Sequence, residues 1–160
     1  MVYLGLGSNI GDKKMFIESA VLRISEITRT KVIRSSLLYR TEPWGIKNQD
    51  FFLNSVVEIE TGLKPEELLK ELKKIETSVG REKREKWHER EIDIDILFYD
   101  GIIFENDQVK IPHPELHKRN FVLVPMCELN PEFVHPVIKK SMLELLNESE
   151  DISAVIRLEN

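Results

Sequence analysis

The clearest chemistry in this chain lies in seven consecutive residues, Glu91-Ile92-Asp93-Ile94-Asp95-Ile96-Leu97. Alternate side chains of a strand share a face, so Ile92, Ile94 and Ile96 enter a core while Asp93 and Asp95 project together from the other side. Their Cα atoms then lie about 6–7 Å apart. Asp is depleted in strands, and two neighbouring carboxylates repel. A hard cation is the simplest compensation. Mg²⁺ suits the pair because it takes few carboxylates and completes its shell with water and phosphate oxygens. The competing reading is a two-sided strand with a solvated acidic face, and the D-x-D spacing alone does not choose between them.

The residues just upstream shift that balance. Arg81, Lys83, Arg84, Lys86 and Arg90 precede the aspartates, with Trp87 among them. Such cations can clamp a polyphosphate while the carboxylates hold its metal ions, the usual division of labour in phosphoryl transfer. Against this, Glu82, Glu85 and Glu89 are interleaved and can pair with the cations in a solvated loop. A large aromatic in a polar loop usually packs on something, and a flat ligand is one candidate.

Two further motifs carry weaker signals. Gly5-Leu6-Gly7-Ser8-Asn9-Ile10-Gly11 is one residue off the dinucleotide fingerprint and lacks the Lys-Ser/Thr of a phosphate loop, so a tight strand-to-helix turn near the site is expected instead. His113 and His117 stand four apart in Pro112–Arg119, but Pro114 interrupts any regular helix and no third zinc ligand is evident. A polar loop offering His113 and Arg119 to an anion fits better. His88 and His135 receive no task from pattern.

Local pattern indicates the elements that must position these groups. Val2–Gly7 reads as a strand. From Asp12, a plausible N-cap, apolar residues Phe16, Ile17, Ala20, Val21, Ile24 and Ile27 follow helical spacing. Lys31–Arg40 reads as one strand, Thr41–Asp50 as a polar loop, and Phe52–Glu60 as another strand. Pro65, Glu66 and Glu67 open a helix that Gly80 stops. Arg81–Arg90 is a charged loop, Glu91–Tyr99 a strand, and Asp100-Gly101 a tight turn into Ile102–Phe104. The order predicts an α+β fold: a ferredoxin-like β-α-β-β-α-β sandwich with an extra hairpin and a C-terminal extension, one domain over residues 1–160, its two helices on one face of an antiparallel sheet.

Composition narrows the function classes. The net charge of −5 argues against general nucleic-acid binding. No apolar run approaches the ~20 residues of a membrane span, and the N-terminus lacks the basic and apolar regions of a signal peptide. A cytoplasmic protein without membrane or nucleic-acid partners is expected. The single cysteine, Cys127, fits a reducing compartment and reads as a small core residue.

Several stretches, taken in order, resemble 6-hydroxymethyl-7,8-dihydropterin pyrophosphokinase. They are Gly7-Ser8-Asn9; Tyr39-Arg40-Thr41-Glu42-Pro43-Trp44-Gly45; Phe52-Leu53-Asn54; Glu76 with Gly80-Arg81; Trp87-x-x-Arg90 with Asp93-x-Asp95-Ile96; Ile111-Pro112-His113-Pro114 through Leu116, His117, Arg119 and Phe121-Val122-Leu123; and Phe133-Val134-His135-Pro136. Each is weak alone, but the ordered set is specific and covers nearly the whole chain. The resemblance implies a ferredoxin-like fold and transfer of pyrophosphate from ATP to the hydroxymethyl group of a reduced pterin, giving AMP, in folate biosynthesis. It further implies two Mg²⁺ on Asp93 and Asp95, and ATP against Glu76, Arg81, Lys83, Trp87, Arg90, Ile96, His113 and Arg119. Thr41, Pro43, Trp44, Phe52, Asn54 and Phe121 would line the pterin pocket. Arg81, Arg90 and Asp95 are the candidate catalytic residues, and a monomer is implied. Phe52 and Phe121 can sandwich a flat ring, and buried Asn54 can meet its donors and acceptors. The chain departs from the family pattern at His88-Glu89, where Gly-Pro is usual, and at Lys83, Lys86 and Glu42.

Three rival readings have distinct signatures. An RNA-binding module on this fold needs exposed aromatics and a basic sheet, where this chain has aspartates and an acidic balance. A small-molecule sensor would bind without releasing AMP. A simple kinase would release ADP.

Overall fold

The computed structural model describes residues 1–42, 49–82, 84 and 89–158. In order, the elements are β1 (Val2–Ser8), α1 (Lys13–Ser25), β2 (Thr30–Ser35), β3 (Tyr39–Thr41), β4 (Phe52–Thr61) and α2 (Pro65–Val79). They are followed by β5 (Asp93–Tyr99), β6 (Phe104–Glu105), β7 (Lys110–Ile111), a single 3-10 turn (Leu116–Lys118), α3 (Asn120–Leu129), α4 (Met142–Glu148) and β8 (Val155–Arg157). The helix ends obey local chemistry. Asp12 caps α1 by accepting the Met15 N–H at 3.2 Å. Pro65 opens α2, Glu67 accepts the Lys64 N–H at 2.9 Å, and Gly80 ends the helix at a φ of 122°.

The main sheet runs β5-β1-β4-β3-β8, with β2 also paired to β4, and its pairings are antiparallel. One face carries Val2, Leu4, Leu6, Val57, Ile59, Ile92, Ile94 and Ile96 against Ile17, Ala20 and Ile24 of α1 and Leu68, Leu72 and Ile75 of α2. This is the ferredoxin-like layer that the sequence pattern predicts. The opposite face carries Tyr3, Val56, Leu97 and Phe98 against Val122, Leu123, Met126 and Leu129 of α3 and Met142 and Leu145 of α4. Cys127 is half-buried on α3, and burial pushes its thiol pKa up.

Along β1 the rows on this second face are Glu58–Tyr3–Phe98, Val56–Gly5–Asp95 and Asn54–Gly7–Asp93. The first row is packed under α3 and α4, and the other two contribute to a cleft. Between them the pairing of β1 with β5 shifts: Tyr3 faces Phe98, Leu4 faces Ile96, and Leu97 is the extra residue of a bulge.

Three features differ from the sequence pattern. The apolar run Lys31–Arg40 forms two strands, not one. Ser36 interrupts it, because its N–H donates to the Val56 carbonyl at 2.8 Å while its Oγ accepts the Val56 N–H at 2.9 Å. A side chain thus replaces one rung of the ladder. Asp100 and Gly101 do form the expected turn, with φ of 51° and 74°. The strand beyond it pairs elsewhere, however: Phe104 faces Ile111, making a separate two-stranded ribbon of β6 and β7. The C-terminal extension becomes α3, α4 and a final strand in the main sheet. Among the described residues, no helix is long and apolar enough to cross a membrane.

Candidate active site

Two glycines make the floor of the cleft. Gly5 and Gly7 lie within β1, where glycine normally weakens a strand and marks close approach of another group. A Cβ on Gly7 would stand 2.8 Å from Asn54 Oδ1, and one on Gly5 would stand 3.3 Å from Leu97 Cδ2. Around this floor converge Asp93, Asp95, Arg90, His113 and Arg119, together with Thr41, Phe52, Asn54 and Phe121. The cleft encloses ≈ 720 Å³, its open mouth included.

The strand period delivers the two aspartates here while Ile92, Ile94 and Ile96 are buried on the opposite face, at 0%, 1% and 3% exposure. The carboxyl of Asp95 has its pKa raised to about 8, first by burial, then by the charges of Asp93 and Glu76. Two ionised carboxylates are therefore not well tolerated by the side chains present, and a divalent cation is the group that would let both ionise. Among the described residues, no group of three or more His, Cys, Asp or Glu side chains could cage a metal ion. A two-carboxylate site fits Mg²⁺, which keeps water and phosphate oxygens in its shell.

Arginines flank this acidic pair. Arg90 Nη1 donates to Asp93 Oδ2 at 2.9 Å, and Arg81 Nη1 donates to Asp93 Oδ1 at 3.2 Å. Arg84 takes the other course, pairing with Glu91 at 2.8 Å and Glu82 at 3.3 Å, as a solvated loop would have it. Glu76 is 4% exposed and sits behind this group: it accepts the Ile94 N–H at 2.8 Å and pairs with Arg81 at 3.0 Å. Its pKa is raised, chiefly by burial. Glu76 thus fixes both β5 and Arg81. The Ile96 side chain belongs to the core under α1 and α2, leaving only its main chain to offer a ligand.

His113 Nδ1 accepts the Glu115 N–H at 3.3 Å. Burial, followed by the charge of Arg119, lowers its pKa to about 4. The ring is therefore neutral near pH 7, with its proton on Nε2, a hydrogen-bond donor without positive charge. The ring of His117 packs 6.2 Å from that of His135. His135 is 5% exposed, and its Nδ1 accepts the N–H groups of Val137 and Ile138, each at 3.1 Å. It is a turn-fixing residue.

On the other side of the cleft, Asn54 Nδ2 donates to Thr41 Oγ1 at 2.6 Å, which orients the carboxamide beside Phe52 and Phe121. Pattern reading did not single out Gly5 and Gly7 as cleft residues, although glycine inside a strand was the signal. It also gave no role to Asn9, 1% exposed. Asn9 Oδ1 accepts the Arg90 N–H at 2.8 Å, and Nδ2 donates to Gln49 Oε1 at 2.7 Å, joining the segments on either side of the cleft. Pro43, Trp44, Lys83 and Trp87 lie outside the described residues.

Comparison with known proteins bears directly on this arrangement. Residues 3–131 match the family of 7,8-dihydro-6-hydroxymethylpterin-pyrophosphokinase. A 2-amino-4-hydroxy-6-hydroxymethyldihydropteridine pyrophosphokinase of Aquifex aeolicus is 43% identical over 148 residues, 92% of this chain and 91% of the relative. The chain belongs to this pyrophosphokinase family. The enzyme of the same name from Haemophilus influenzae is 38% identical over 134 residues, covering 84% of each chain. A crystal structure of Plasmodium falciparum HPPK-DHPS with pteroate superposes with a TM-score of 0.74 over 92% of this chain at 18% identity, supporting the fold. This chain spans 44% of that solved chain. As a pyrophosphokinase, the protein is an ATP-dependent transferase acting on hydroxymethyldihydropterin in folate biosynthesis.

Proposed function

We propose that the cleft on the Gly5–Gly7 floor is where this transfer occurs, with the pterin and the ATP phosphates bound side by side. The observation that carries the proposal is the convergence of two kinds of group. Asp93, Asp95, Arg90, His113 and Arg119 suit a triphosphate, while Thr41, Phe52, Asn54 and Phe121 suit a flat polar heterocycle, and all line one cleft. Phe52 and Phe121 hold the ring by its faces. Asn54, fixed by Thr41, reads its edge.

In the reaction, the pterin hydroxyl oxygen attacks the β-phosphorus, the bond from that phosphorus to the oxygen bridging to the α-phosphate breaks, and AMP leaves. The hydroxyl passes its proton to water as the new P–O bond forms. Two Mg²⁺ held by Asp93 and Asp95 would neutralise the triphosphate and withdraw charge from the bond that breaks. The guanidinium groups of Arg81 and Arg90, ranged against Asp93, and that of Arg119 stabilise charge on the transferred group. His113 donates its Nε2 proton as a neutral hydrogen bond. Holding the hydroxyl in line with the β-phosphorus is the principal gain, since positioning dominates this class of chemistry.

The same reading takes residues 1–160 as one domain, supported by a C-terminal strand that completes the sheet of the family-matched region, and takes the protein as a cytoplasmic monomer. Light scattering tests the monomer. The decisive experiment is chromatography of the nucleotide product after incubation with ATP, Mg²⁺ and 6-hydroxymethyl-7,8-dihydropterin. AMP should appear in step with a pterin diphosphate ester. Stoichiometric ADP would refute pyrophosphoryl transfer, and bound ATP without any product would favour a sensor.

A further inference from the structure

The family match ends at residue 131, yet the chain after it returns to two elements that carry cleft residues. α3 begins without a cap of its own, since Arg119 makes no side-chain hydrogen bond to the free N–H groups of the first turn. Asp151 supplies the bond from 31 residues further along, its Oδ2 accepting the Asn120 N–H at 2.8 Å. The Asp151 main-chain carbonyl accepts Asn120 Nδ2 at 3.0 Å, and its Oδ1 accepts the Ser153 N–H at 2.9 Å. A carboxylate here also meets the positive end of the helix dipole. Shortly afterwards β8 pairs Val155 with Thr41, Ile156 with Arg40 and Arg157 with Tyr39. The Leu158 N–H then bonds the Leu38 carbonyl at 2.9 Å. The other side of β3 is already occupied by β4, so β8 closes its open edge.

Phe121 follows Asn120 in α3, and Thr41 is the last residue of β3. Both line the cleft, one from the helical layer and one from the sheet. Residues 151–157 therefore tie the helix that bears Phe121 to the strand that bears Thr41. An extended chain gains only about 3.3 Å per residue, so this strap limits how far the two elements can move apart. We propose that the strap is a positioning device for the pterin pocket, with Asp151 its fixing residue at the Phe121 end and β8 its anchor at the Thr41 end. The proposal rests on the assignment of Thr41 and Phe121 to the pterin.

Three variants of the full chain test it by steady-state kinetics at saturating ATP. Asp151→Ala removes the cap. Ile156→Pro weakens the β8 anchor: Ile156 is 57% exposed, so little packing is lost. Leu38 and Leu158 form a hydrogen-bonded pair, so the antiparallel alternation makes Arg40 and Ile156 the next such pair, and proline removes its donor. Each variant is expected to raise the KM for the pterin roughly 3- to 30-fold, the range for loss of one cap or fixing bond. The kcat at saturating pterin should stay within about twofold, the signature of lost ground-state binding. Asp151→Asn, whose Oδ1 can accept the Asn120 N–H only by turning its Nδ2 toward the Ser153 N–H, should restore part of the loss. Phe121→Ala serves as the parallel control. An unchanged pterin KM in that control overturns the pocket assignment. A raised KM there, with unchanged KM in Asp151→Ala and Ile156→Pro, overturns the strap, even if both melt at lower temperature.

Discussion

Replacing Gly7 with alanine should separate binding from stability. The new Cβ would stand 2.8 Å from Asn54 Oδ1, where 3.4 Å is the near edge of ordinary contact, and 3.6 Å from Phe52 Cδ1. The Asn54 carboxamide must therefore retreat by about half an ångström, a displacement large enough to misalign a hydrogen bond. It cannot retreat without cost, because its Nδ2 is already committed to Thr41 Oγ1 at 2.6 Å in a strand buried on both faces. Either that bond or the one to the pterin edge is spoiled. Leaving one buried polar group unsatisfied costs about 1–3 kcal/mol, which corresponds to a pterin affinity weaker by roughly 5- to 150-fold. The backbone of Gly7 does not need glycine, since its φ is not positive. Alanine also lowers the entropy of the unfolded chain, worth about 0.4–1 kcal/mol. Gly7→Ala should thus melt only a few degrees below wild type, the entropy gain offsetting part of the cost of displacing Asn54, while its pterin affinity falls. Calorimetric titration of a pterin analogue in the presence of a non-hydrolysable ATP analogue, alongside a thermal melt, reads both quantities. Unchanged pterin affinity in a well-folded variant would refute the role given to the Gly7–Asn54 contact.

Further perturbations have definite expected outcomes. Asp93→Ala and Asp95→Ala should each lower turnover by at least about 10³, as for loss of a major electrostatic element, with the fold retained by circular dichroism; near-normal turnover at saturating Mg²⁺ would contradict the metal assignment. Tyr39 donates its hydroxyl to Glu128 Oε1 at 2.5 Å, and burial followed by that carboxylate pushes its pKa up to about 12. Tyr39→Phe should therefore cost about 1–2 kcal/mol in urea unfolding, and a loss below the error of the measurement would show the bond to be idle. Burial, and secondarily His117, hold the His135 pKa at about 4, below its ordinary 6.5. The unfolded chain binds this proton first, so the stability contributed by neutral His135 is complete above about pH 6.5 and is lost as pH falls toward 4. Its ring resonances should accordingly stay unprotonated at pH 5.5 by NMR; titration near 6.5 would overturn the argument.

The sequence was most informative where side-chain period and backbone chemistry coincide. The alternation of Ile92, Ile94 and Ile96 with Asp93 and Asp95 identified both the core and the acidic face, because a half-buried strand allows only one phase. Pro65 and Gly80 marked the ends of α2 for equally local reasons. The break at Ser36 was not legible, since it depends on a hydrogen bond to Val56, 20 residues away, and not on any breaker residue. An extra hairpin was legible but its partner strand was not, because the Asp100-Gly101 turn signal fixes a reversal and not the strand with which β6 pairs. Within the site, charged and aromatic residues declared themselves. Gly5 and Gly7 did not, because the absence of a side chain becomes a feature only once Asn54 and Leu97 are seen beside them. Asp151 was invisible for a related reason: a cap contributed from a distant segment leaves no local pattern.

The bulge at Leu97 gives β5 two reading frames. Before it, even-numbered residues face α1 and α2 and odd-numbered ones face the cleft; after it, Phe98 joins Tyr3 beneath α3 and α4. One strand thereby serves two masters whose demands differ by a single position. The extra residue acts as a splice, so the spacing of the carboxylates is insulated from whatever the second core requires of Phe98. Straightening the strand with its residue count unchanged would remove the splice and force a choice. With the aspartates kept in phase, the aromatic would turn toward the wrong layer; with the aromatic kept in phase, both acids would be driven into the hydrocarbon under α1 and α2. Deletion of Leu97 itself would keep Phe98 opposite Tyr3 and the acids opposite Gly5 and Gly7 in a plain ladder, at the loss of the leucine that packs over Gly5.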